Sequence, residues 1–178
     1  MFRRNNTYTD EELEKRGNEI ASLLFIQARE LATEIKKQSG ENDKFSNNDY
    51  FRLLSFCTAL FYLYIDRQLF TKLGAERRDK VFDNIERAHM GMLKHNYDLS
   101  GDSLNKAGAG MYDAVAALTP FAHQFFPEGK DSPKGTLMWE FDKLLGSIGF
   151  APGTWSFANE VSIELMKPIK RLLDELFK

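Results

Sequence analysis

The chain carries 24 basic against 26 acidic residues over 178 positions, a formal net charge of −2, so it lacks the basic excess with which nucleic-acid proteins neutralise phosphates. Its 43% hydrophobic and 13% aromatic content is too high for a disordered chain, and its length suffices for one all-α domain over residues 1–178 with its own core. Cys57 is the single cysteine, which excludes an internal disulfide and fits a reducing compartment, with the cytoplasm expected.

The small basic groups do not alter this balance. Arg77, Arg78 and Lys80 are interleaved with Glu76 and Asp79, as on a solvated helix face. The opening residues, MFRRNNTYTDEE, hold two arginines but no apolar run, so no secretory signal is expected and residues 1–8 read as a flexible tail. The most apolar stretch, Leu53 to Ile65, would span only about 20 Å as a helix, too short for a bilayer core. A buried central helix is expected there, and neither a membrane nor a nucleic-acid partner.

The punctuation divides the chain into about six helices packed as a bundle. Thr9 and Glu12 form a capping box for a first helix over 10–38, whose stripe is Leu13, Ile20, Leu24, Leu31 and Ile35. Ser46 and Asp49 cap a second helix over 47–72. Its middle, LLSFCTALFYLYI, is apolar on every face, and Gly74 stops it. A third helix over 75–97 presents Val81, Ile85, Ala88 and Met92. The stretch 66–79, DRQLFTKLGAERRD, resembles a helix–turn–helix segment of bacterial proteins, which implies two helices about a short turn and no particular activity. A fourth helix starts near Asp102 with Ser100 or Asp102 as cap, and Pro120 forces a kink or a restart, with Thr119 capping a new short helix that ends at Pro127. Ser132-Pro133 begins a fifth helix that stops at Gly149. A sixth carries Ala158, Val161, Leu165, Ile169, Leu172 and Leu176, with a kink expected at Pro168. No segment alternates with the period of a strand.

Glu86 and His89 form the strongest metal-like pattern, a carboxylate and an imidazole one turn apart on the third helix. Helical di-metal sites use two such pairs and two further glutamates. Here His95 follows Met92 and His123 follows Pro120 at the same offset, so no second pair forms and no metal or other cofactor is expected. The competing reading is a hydrogen-bonded core histidine beside a boundary glutamate.

Asp66 and Arg67 directly follow the buried run. An ion pair tying two helix ends is expected, with a ligand-anchoring arginine as the alternative. Tyr62 lies among Phe56, Phe61, Tyr64 and Phe70. With Asp66, Arg67 and His89 it makes up the candidate ligand-binding set. Cys57, inside the apolar run, reads as a small buried hydrophobe rather than a nucleophile. There is no nucleophile elbow, so no catalytic residue is assigned. Ala107-Gly108-Ala109-Gly110 lacks the lysine and preceding strand of a phosphate loop. Small residues at 107, 110, 114 and 117 instead mark a face for close helix packing.

Leu23-Leu24-Phe25-Ile26 makes the first helix apolar around its circumference. Leu23, Phe25 and Ile26 are therefore the candidate contact residues. Cover from within the bundle is expected, and the alternative is a second protein, most simply a homodimer. The sequence favours a non-enzymatic helical protein acting through protein contact or self-association. The alternative is a small-molecule-binding or metal-dependent bundle with its site between helices.

Overall fold

The structure is a computed structural model that describes residues 8–38, 46–125, 134–150 and 154–178. Among these it contains six α-helices, one 3-10 turn and no strand, an all-α bundle. Helix α1 is Asp10–Gln38, α2 Asn47–Leu73, α3 Ala75–Tyr97, α4 Gly101–Leu118, α5 Leu137–Gly146 and α6 Thr154–Leu176.

Local chemistry accounts for most of the boundaries. The Thr9 amide donates to Glu12 Oε2 at 2.7 Å and the Glu12 amide to Thr9 Oγ1 at 3.2 Å, which starts α1. Ser46 and Asp49 repeat the exchange at α2, at 3.2 and 3.1 Å. Gly74, with φ at 75°, ends α2 and lets α3 begin at the next residue. Of the two caps considered for α4, Ser100 is the one used: its amide donates to Ser103 Oγ at 3.2 Å. Pro120 sits in a 3-10 turn over Thr119–Phe121.

Helix α5 departs from expectation. Its cap is Thr136, whose hydroxyl accepts from the Trp139 amide at 3.3 Å, and the preceding Gly135 takes φ of 82°. The Leu137 and Met138 amides bond to the carbonyls of Gln124 and Phe125 at 2.8 and 3.2 Å, so tertiary contact satisfies the first turn. The helix ends at Gly146, short of Gly149. Ser132 and Pro133 lie outside the described residues. Pro168 sits within α6 without ending it.

Helix α2 packs against each of the other five helices. Leu53 through Phe61 are all buried, as its apolar circumference requires. Phe51 meets Tyr97 at 5.3 Å and Tyr62 meets Phe82 at 4.6 Å, so α3 runs antiparallel to α2. Gly17 faces Val81 and Asn84 while Phe25 meets Tyr97, so α1 lies parallel to α3. Lys72 pairs with Asp174 at 2.8 Å, joining the ends of α2 and α6. Tyr8 stacks edge-on against Phe177 at 5.8 Å and lies 3.8 Å under the Arg16 guanidinium, so the last residue of the expected tail is packed; residues 1–7 lie outside the described residues. No helix among the described residues is long and apolar enough to cross a membrane.

Candidate functional site

Two polar residues interrupt the apolar run of α2 at three-residue spacing, Ser55 and Thr58. Both are buried, so they share one inward face. The Ser55 hydroxyl donates to the Phe51 carbonyl at 2.9 Å. Thr58 Oγ1 has no hydrogen-bond partner among the described residues. From α3, His89 reaches the same region at 2% exposure, with its ring edge-on to Phe25 at 5.8 Å. Its Nδ1 is also without a partner, and burial pushes its pKa down to about 4, so the imidazole is neutral. Thr58 and His89 line an internal space of about 10 Å³ between α2, α3 and α4. That is the lower limit for one water, and the two unpaired atoms would be its partners.

Outside this space lies a larger one. A cleft of about 170 Å³ separates the N-terminal halves of α2 and α4, which run parallel: Asn48 and Ser103 line it at one end, Ser55 and Gly110 at the other. Phe51, Ser55 and Ala107 form the wall common to both spaces. Gly110 borders the cleft on the α4 side, where a Cβ would make ordinary contact with Ser55 Oγ at 3.5 Å. Leu99 and Phe51 supply apolar surface, and the exposed Arg52 and Lys106 supply charge from facing helices.

The residues singled out from sequence are dispersed. Asp66 and Arg67 do not act together: Arg78 pairs with Asp66 at 2.5 Å, while Arg67 donates to the His123 carbonyl at 3.1 Å and lies 6.0 Å from the Phe125 ring. Adjacent residues on a helix point about 100° apart, so each takes its own neighbour. Tyr62 is packed on Phe82, and its phenol is raised to about 12 by burial first, then by Glu86 and Asp66. Of the proposed ligand set only His89 lines the inner space. Its reading as a core histidine agrees with its burial, and its Nδ1 has no partner among the described residues.

Glu86 is half-buried, and burial and Asp83 raise its carboxyl. Among the described residues no group of three or more His, Cys, Asp or Glu could hold a metal, so Glu86 and His89 gain no further ligands. The α3 stripe also shifts: His89 is buried as a core histidine would be, Leu93 is buried as well, and Ala88 and Met92 are only half-buried. Cys57 is fully buried, and desolvation raises its thiol well above the ordinary range.

Phe25 is 4% exposed against His89 and Tyr97, and Leu23 packs against the core, so neither forms an outer contact face. Ile26 is 54% exposed, which corrects the expectation of internal cover. Its neighbours one turn away, Ser22, Arg29 and Glu30, are exposed too, because α3 covers only the Phe25 side.

Sequence reasoning missed Arg52, Phe51, Leu99, Ser103 and Lys106. The available signal was the Ser55–Thr58 pair, since polar side chains on one face of a buried helix need partners or a cavity. No family model, curated protein or solved structure matches this chain.

Proposed function

We propose that this protein binds a small molecule in the cleft between α2 and α4. The observation that carries this reading is the cleft itself: a concave space of about 170 Å³ between two helices, with an aromatic wall and polar groups from both sides. Ligand sites in bundles are built between helices in this way, with mostly apolar linings and a few placed polar groups. No residue is assigned a catalytic part. The lone buried thiol is consistent with a reducing compartment, and the cytoplasm is the location we propose.

The test is a fragment screen read by amide chemical shifts. Ligands are expected to move resonances at 48–55 and 99–110. Gly110→Leu, which fills the cleft from α4, is expected to abolish those shifts while the protein stays folded. Fragments that bind only elsewhere, or that bind Gly110→Leu equally well, would end this reading.

Self-association or a protein partner is the second reading, and Ile26 favours it. Among the described residues the other large exposed apolar ones, Phe70, Tyr112 and Ile163, lie on three further helices. Single exposed apolar residues are ordinary on a protein surface, so the cleft is the better supported site.

A further inference from the structure

The charge around the cleft narrows what it accepts, on the reading that a ligand occupies it. Its lining holds two cations, Arg52 from α2 and Lys106 from α4, and no acid. Among the described residues neither cation has an ion pair within 4.0 Å. The acids closest in sequence are Asp49 and Asp102, one turn before Arg52 and Lys106, and neither lines the cleft. The Asp49 carboxylate is engaged by Ser46, whose hydroxyl and amide donate to it at 2.7 and 3.1 Å and hold its pKa down, with a smaller lowering from the Arg52 charge.

Backbone charge adds to the same sign. Asn48 and Ser103 belong to the first turns of α2 and α4, so both helix starts border this end of the cleft, each with an acid in its own first turn, Asp49 and Asp102. Two side-chain cations thus face one small space beside two helix starts. The remaining wall carries apolar surface from Phe51, Leu99 and Ala107 beside the polar Asn48, Ser55 and Ser103. A simple inorganic anion would leave that wall bare. The volume, about 170 Å³, is close to the roughly 150 Å³ of an apolar cavity that admits benzene.

We infer that the cleft binds a small organic carboxylate whose apolar body is about the size of a benzene ring. The carboxylate lies between Arg52 and Lys106, and the body rests on Phe51 and Leu99. Arg52 offers a planar fork that matches a carboxylate, and Lys106 a mobile point charge.

The experiment compares benzoate, phenylacetate and hexanoate with benzyl alcohol, phenylethanol and hexanol, by calorimetry and amide shifts on the full chain. At least one acid should bind tenfold or more tightly than its alcohol, with shifts at 48–55 and 99–110. Arg52→Gln and Lys106→Gln, both at exposed side chains, should each weaken the acid about fivefold and leave the alcohol unchanged. The double variant should bring the acid to the level of the alcohol. If acids and alcohols bind the cleft equally, or the double variant binds acids as the parent does, the carboxylate assignment is wrong while the cleft remains a ligand site. If none of the six probes shifts the cleft resonances, both readings fall together.

Discussion

Two parallel helix pairs in this bundle differ in how much room their glycines leave. Where α1 crosses α3, Gly17 lets the helices meet without a gap: a Cβ on it would stand 2.7 Å from Asn84 Cβ and 3.0 Å from the Val81 carbonyl oxygen. Where α2 lies beside α4, Gly110 does not produce the same closure: a Cβ on it would make only ordinary contact with Ser55 at 3.5 Å. Gly108 faces α3 instead, where a Cβ would meet the flexible end of Met90 at 3.0 Å. Small residues permit close approach but do not enforce it. At α1–α3 the backbone fills the room that Gly17 provides. At α2–α4 the polar residues Ser55 and Thr58, the neutral His89 and the two cations at the helix starts border space instead.

The largest expected effect tests the loose side through His89. Folded His89 takes up a proton only near pH 4, whereas the unfolded chain does so near 6.5. Its contribution is therefore complete above pH 6.5 and is lost as pH falls toward 4, by roughly 3 kcal/mol in all at about 1.4 kcal/mol per unit. Denaturant titrations of the parent and of His89→Leu across this window should show a much flatter curve in the variant. Parallel curves would mean that His89 is not buried between these helices.

Next comes the tight side. Gly17→Ala should lose about 1–3 kcal/mol to overpacking, even though alanine is the better helix former. A gain in midpoint would show that α1 and α3 have slack, and the contrast between the pairs would disappear. At the loose side the sign reverses. Gly110→Ala should be neutral or stabilising by up to about 1 kcal/mol, because the helix gains alanine without a clash. Gly108→Ala should fall between the two, since Met90 must move. Smallest of all, Ile26→Glu should change stability by less than about 0.5 kcal/mol, as at other exposed sites. Thermal melting and light-scattering mass check it together: a folded variant of lower mass would favour the second reading, in which this face meets a partner.

The elements were mostly legible before the structure. Helices α1 and α2 start where their capping boxes place them and Gly74 divides α2 from α3, because capping boxes and positive-φ glycines are chemistry between residues close in sequence. Helix α5 was not, because its first amides are satisfied by Gln124 and Phe125, from the chain segment ahead of it. Ile26 was misjudged for a related reason. An apolar circumference shows that several faces could be covered, but which of them is covered depends on where α3 lies.

The candidate site was the least legible part. Asp66 and Arg67 stood out as charges beside a buried run, yet they turn to separate partners. Arg52 and Lys106 looked like ordinary surface charges, 54 positions apart in the chain. The sequence by itself determined the helices, their caps, the burial of α2 around Cys57 and the inward face of Ser55 and Thr58. Hydrophobic periodicity and local hydrogen bonding set these within one or two turns of chain. Only the tertiary structure decided that α4 lies parallel to α2 with a gap between them, bringing Arg52, Lys106 and both helix starts together. That arrangement depends on how whole helix surfaces fit one another, and no short stretch of residues encodes it.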